Sequence, residues 1–152
     1  MHPVFKKMNF KGQSPILLLH APASFQAILP EMNTLTEFHE SPQADQSYGY
    51  ILAFLYQQSD LPLVAQRVAG QMDEDCLLWL AYPKKSSKKY KTDLSRDMSW
   101  QVIGDLGFEG VRQVAIDEDW SALRFRETRF IKTMKRQSLR AMSNEGKKRT
   151  GQ

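Results

Sequence analysis

Three apolar runs constrain this chain more than any other feature: "PILLL" at 15–19, "YGYILAFLY" at 48–56 and "CLLWLAY" at 76–82. Each is short, and none alternates polar with apolar residues, so each reads as a strand buried on both faces. The stretches between them have helical spacing. Residues 23–32, "ASFQAILPEM", bring Phe25, Ile28 and Leu29 to one side, and Pro30 keeps that helix short. Residues 59–72 place Leu61, Val64, Val68 and Met72 on one face, with Ser59 as cap and Gly70 weakening the last turn. Buried strands alternating with helix-length crossovers specify a parallel sheet covered on both faces.

The flanking segments extend that sheet. "TLTEFHE" (34–40) alternates and predicts a strand nearer an edge. "DLSRDMSWQVIGDLGF" (93–108) carries Met98, Val102, Ile103 and Leu106 at helical spacing, with Asp93 as cap and Gly107 as stop, and predicts a helix. "VRQVAIDEDWSALRFRE" (111–127) predicts a hairpin around "DED". With right-handed crossovers the fold class is α/β: a three-layer, Rossmann-like open sheet, mostly parallel, with a C-terminal antiparallel hairpin. Such a closing hairpin resembles that of methyltransferase-type Rossmann sheets, which implies strand order 2-1-3-4-6-5. Residues 1–127 are expected to form this single domain, with a frayed start that includes His2. Residues 128–152 are expected to form a basic helix and tail.

A recurring set of residues accompanies this pattern. It comprises Ala21, Pro22 and Phe25; Leu78, Trp79, Ala81, Pro83, Lys84, Lys85 and Ser86 or Ser87; Thr92, Asp93, Leu94 and Gly107. It continues with Ala115, Asp117, Glu118, Trp120, Ser121, Leu123, Arg124 and Phe125. Over about residues 9–127 the chain resembles a family of small bacterial proteins known only as a domain of unknown function. That resemblance implies a Rossmann-like fold, methyltransferase-like in architecture, and brings no activity with it. The chain departs from the family pattern by the insertion "KKYK" and by its basic tail.

The net charge of +4 hides a division. Residues 124–152 hold ten Lys or Arg against Glu127 and Glu145, a balance of +8, which leaves the preceding 123 residues at −4. Through this tail, nonspecific contact with nucleic acid is expected to be electrostatic, without a fold for specific readout. The single cysteine, Cys76, excludes a disulfide framework and a Cys-based zinc site. His2, His20 and His39 have no partners at metal spacing. No stretch approaches the about 20 apolar residues of a membrane span, and nothing at the amino terminus reads as a signal peptide. A reduced, cytoplasmic setting is expected.

Ligands of open parallel sheets bind outside the carboxyl ends of the strands. Here those ends are "HAPASF", "QQSD" and "PKKSSKKYKTD". Lys84, Lys85, Ser86, Thr92 and Asp93 are therefore the expected seat of a small anion, phosphate or carboxylate, beside the helix beginning near Asp93. "HAPASF" has no glycine, so no cofactor is expected, and no micromolar binding of adenosylmethionine or NAD. Glu37 or Glu40 could hold a ribose. "DED" at 117–119 reads as a solvated turn rather than a catalytic carboxylate set. The balance is against an enzyme: a small non-catalytic binding or interaction module is expected. The competing readings are an enzyme on a phosphate-bearing or carboxylate substrate and a nonspecific nucleic-acid binder.

Overall fold

The computed structural model describes residues 1–131. The three apolar runs become the middle of one six-stranded sheet, as β1 (Ile16–Leu19), β3 (Tyr48–Phe54) and β4 (Met72–Pro83). With β2 (Phe38–His39), β5 (Phe108–Ala115) and β6 (Trp120–Glu127) the order is β2-β1-β3-β4-β6-β5, as expected. The first four strands run parallel, and β6 lies antiparallel between β4 and β5. Every residue of β1 is buried, as are Ile51, Leu52, Leu78 and Trp79. Burial from both sides is why these strands do not alternate.

Alternate residues feed two cores. On one face Leu17, Leu19, Ile51, Leu78 and Leu80 meet α3 (Asp60–Val68) and Ile103 of α4 (Gln101–Gly104). On the other, Ile16, Leu18, Tyr50, Leu52, Phe54 and Trp79 meet α1 (Pro3–Lys7) and Phe25 of α2 (Ala23–Gln26).

The amino terminus is therefore not frayed. The imidazole of His2 accepts from the N–H of Val4 and caps α1, while Val4, Phe5 and Met8 are buried. The carbonyl of Met8 accepts from both the Tyr50 hydroxyl (2.8 Å) and the Trp79 indole (3.0 Å). No five-residue segment shows helical periodicity in sequence; contacts with the sheet hold this one.

The helix expected over 93–108 is reduced to α4. Leu94 is fully buried, but the chain from Asp93 to Trp100 crosses in turns, and Trp100 donates from its ring to the Arg96 carbonyl. Ser95, Asp97 and Ser99 favour such turns over a helix interior. Gly107, at φ +89°, follows α4 and leads into β5. The edge strand is also shorter than expected, with only Phe38 and His39 paired to β1. β4, by contrast, begins at Met72, well before the apolar run. The hairpin contains a bulge between Gly110 and Arg112, after which Arg112 faces Arg124.

Among the described residues no helix is long and apolar enough to cross a membrane. Of the expected basic helix and tail, Thr128–Phe130 forms a short 3-10 turn and Ile131 is buried. Residues 132–152 lie outside the described ones.

Candidate functional site

The strand order reverses at β1, whose neighbours β2 and β3 are reached by crossovers in opposite directions. The chain leaves β1 through His20, which adopts the left-handed conformation at φ +60°. A glycine is the usual occupant of such a bend; here a histidine takes it. The bend leads to Pro22, the capping residue of α2, and the N–H groups of Ala21, Ala23 and Ser24 meet no acceptor among the described residues. Arg67 of α3 lies 3.2 Å from His20 Nε2. A guanidinium can only donate, so Nε2 accepts and the ring proton sits on Nδ1.

Tyr56, just past β3, closes the other side of this crevice. Its hydroxyl donates to the His20 carbonyl at 2.9 Å. Burial, with the neighbouring Tyr90 and Asp60, pushes its pKa above the ordinary phenol value, so it remains a donor at neutral pH. Its ring packs edge-on against Trp120 (5.1 Å between centroids) and Tyr90 (5.9 Å). Trp120 is 1% exposed, and its Nε1 has no acceptor.

The acids at this edge hold loops. One Asp60 oxygen accepts from the N–H groups of Tyr56 and Gln57. Asp93 accepts from the Gln58 N–H (2.8 Å), and the Gln58 side-chain amide donates back to the Asp93 carbonyl. Asp119 accepts from the Ser87 hydroxyl at 2.7 Å. Glu40, just past β2, is exposed; Glu37 is exposed too and lies 3.6 Å from His39.

The five residues expected to seat an anion separate into two groups. Thr92 and Asp93 strap the crossover to the end of β3: the Thr92 hydroxyl donates to the Tyr56 carbonyl at 3.0 Å, and Asp93 pairs with Gln58 as above. No helix begins beside them. Lys84, Lys85 and Ser86 lie past the end of β4, Lys85 and Ser86 exposed, Lys84 half-buried with its N–H on the Asp119 carbonyl. In the basic segment, Arg126 makes a two-pronged contact with Asp75 (2.7 and 2.8 Å), and Arg129 contacts Glu127. Burial pushes the Cys76 thiol well above its ordinary pKa, with Asp73, Glu127 and Asp75 adding to the effect.

Two features went unseen in the sequence. The left-handed turn at His20 carried no signal, because only glycine or asparagine would have advertised it. A cleft of about 580 Å³ lies away from the strand ends, between the 96–101 segment and the hairpin, floored by Phe108, Leu123 and Phe125. Its residues come from three separated segments, so no local pattern could reveal it.

An open, mostly parallel sheet closed by an antiparallel hairpin defines a methyltransferase-like Rossmann architecture. Solved structures bear this out. The chain is similar to magnesium protoporphyrin IX methyltransferase from Synechocystis PCC 6803, solved with bound adenosylmethionine, at TM-score 0.52 and 12% identity over 82% of this chain and 74% of that one. It is similar to the pyocyanin biosynthetic protein PhzM at TM-score 0.53 and 8% identity, over 84% of this chain and 54% of that one. An Aquifex aeolicus adenosylmethionine-dependent methyltransferase aligns at TM-score 0.49 and 13% identity, over 83% of this chain and 88% of that one. No protein-family model matches the chain, and no curated protein matches it. At these identities the likeness establishes the fold. The expectation of a non-catalytic module and the balance against an enzyme are corrected by it, since a solved chain of this architecture is a magnesium protoporphyrin IX methyltransferase.

Proposed function

We propose that this chain is an enzyme of the methyltransferase type, with its nucleotide-bearing methyl donor held at the carboxyl ends of β1 and β3. The observation that carries this reading is the left-handed turn at His20, at the point of strand-order reversal, with unclaimed N–H groups beside it. The expectation of no adenosylmethionine binding rested on a missing glycine, and the bend forms without one. The donor set suits the group. The N–H groups of Ala21, Ala23 and Ser24 and the Nδ1–H of His20 can receive a carboxylate, and exposed Glu40 can receive ribose hydroxyls.

When bound, the sulfonium would supply an electrophilic methyl group. The work of the chain is then to orient and to shield. Tyr56 and Tyr90 form an aromatic wall on Trp120, and the Tyr56 hydroxyl fixes the turn through the His20 carbonyl. With Asp60, Asp93 and Asp119 committed to loops, no carboxylate among them serves as a general base. We assign Lys84, Lys85 and Ser86 to an anionic group of the methyl acceptor, with Thr92 and Asp93 as the strap that positions their loop. A cytoplasmic setting and membership of the small bacterial family it resembles belong to the same proposal.

Calorimetry with adenosylhomocysteine tests it, with Ala23→Pro as the informative variant. Ala23 is the first helical residue after an extended Pro22 (ψ 162°), where proline costs no helix bond but removes one N–H. The wild type should give a saturable one-to-one complex, and Ala23→Pro should bind about tenfold more weakly, the value of one charge-assisted hydrogen bond. A folded wild type with no saturable heat, or a variant that binds equally well, refutes the assignment.

A further inference from the structure

Across the hairpin from that edge, Arg112 and Arg124 face each other on the sheet surface toward α1. Had the pairing run on unbroken from Gly110 and Phe125, Val111 would stand opposite Arg124. The bulge sets Val111 aside and brings Arg112 there instead. Like charges directly opposite on paired strands repel, so the bulge creates an unfavourable contact unless something offsets it. Asp75, the acid that acts on Arg124, offsets it only in part, because it is already gripped by both prongs of Arg126. Arg112 gives one N–H to the Asn9 side-chain carbonyl at 2.8 Å, and Asn9 is itself held in the left-handed conformation at φ +63°. Arg124 is half-buried, and its Nε is enclosed with no acceptor among the described residues.

An enclosed guanidinium N–H without a partner is costly. Of the groups near it, Asp75 is engaged by Arg126, the Tyr50 hydroxyl donates to the Met8 carbonyl, and Arg112 and the Asn9 amide nitrogen offer donors, the Asn9 carbonyl oxygen being occupied by Arg112. Trp79, beside Arg124 on β4, directs its own indole N–H to the Met8 carbonyl and offers no acceptor either. A site rich in donors, doubly positive and short of acceptors matches an oxyanion in charge and in hydrogen-bond sense.

We propose that Arg112 and Arg124, with the Asn9 amide, form a binding site for a phosphate-type oxyanion, separate from the carboxyl edge of the sheet. The anion lies between the two guanidinium groups, cancels their repulsion and accepts the Nε–H of Arg124. It also ties the α1 segment to the hairpin through Asn9. Arginine is required rather than lysine, because the Nε–H is part of the fork.

The test is titration of the full chain with inorganic phosphate at fixed ionic strength, read by calorimetry and by the phosphorus resonance. A second arm uses a 5′-mononucleotide. The variants are Arg112→Met, which changes an exposed side chain, and Arg124→Lys, which keeps the charge and removes the fork. Lys88→Ala with Lys91→Ala serves as the control for exposed cations elsewhere. The expected result is saturable binding that weakens tenfold or more in both arginine variants and is unchanged in the lysine control. A mononucleotide that binds more tightly than phosphate, with the same loss in Arg112→Met, keeps the site and identifies its phosphate as part of a larger ligand. Absence of saturable binding in both arms overturns the proposal. So does binding that Arg112→Met leaves intact.

Discussion

Phe5 belongs to a segment that nothing in the sequence marks as structural, yet the structure makes it a keystone of one core. Its ring is fully buried, with the rings of Phe25, Phe38, Phe10 and Tyr50 at 5.6, 5.9, 6.1 and 6.4 Å. Phe5→Ala removes the side chain from a site that Met8, the Tyr50 ring and β1 hold in place, so the cavity cannot collapse fully. Such truncations cost about 3–5 kcal/mol, and four aromatic neighbours put this one near 4. Unfolding entropy of about 2 cal/mol/K per residue, over the 131 described residues, converts that into a fall in melting temperature of roughly 15 °C. Urea unfolding followed by tryptophan fluorescence should show the midpoint falling with an unchanged slope. Phe5→Leu, which keeps most of the volume, should lose about 1–1.5 kcal/mol. A loss under about 1 kcal/mol for Phe5→Ala would show that α1 does not pack on the sheet, and would remove the Asn9 partner from the proposed oxyanion site as well.

Two further outcomes follow from charge and burial. The hydrogen bonds from Arg126 hold the Asp75 carboxyl below its ordinary pKa, so the stabilisation they bring is present above the unfolded-state value near 4 and is lost as pH falls through the lower folded value. Asp75→Asn, which tolerates the left-handed backbone at φ +52°, should cost about 1 kcal/mol at pH 7, discounted for partial exposure. Near pH 2 the two proteins should converge in urea unfolding; a constant gap from pH 7 to 2 would refute the pairing. For Cys76, burial and three nearby carboxylates keep the thiol protonated, so a disulfide reagent at pH 8 should label it only at the rate of unfolding. Stoichiometric labelling of the native protein within minutes would refute its burial.

The centre of the sheet was legible because its strands are buried on both sides, and "ILLL", "YILAF" and "LLWLA" have no other reading. The crossovers of helical length pointed to the parallel half, and the likeness of the closing hairpin to methyltransferase-type sheets supplied the strand order. Legibility failed where a short segment depends on distant partners. Pro3–Lys7 shows no periodicity because its contacts come from β1, β3 and the 25–38 region. Met98 and Val102 suggested a helix through this stretch, yet Leu94 reaches the same core from an irregular crossover. At the candidate site the misleading residue was His20: a missing glycine argued against cofactor binding, whereas the backbone held by Tyr56 and Arg67 bends without one. The arginines of 112 and 124 carried no warning of their juxtaposition, since a bulge cannot be counted from alternation alone.

That bulge has a bearing on how the protein behaves in a crowded solution. Among the described residues this open sheet has two margins without a paired strand, and such a margin is a template on which another chain can build a strand. At one margin β2 pairs over only two residues, which is too little ladder for an intruder to copy. At the other, β5 is eight residues long and would be an inviting template if it were flat. The kink at Gly110–Arg112 interrupts its row of outward-facing donors and acceptors, and Arg112 and Gln113 put exposed polar side chains beside the break. The same irregularity that sets two cations face to face thus shields the sheet from edge-to-edge aggregation, and straightening it by deleting Val111 would expose a continuous, sticky border.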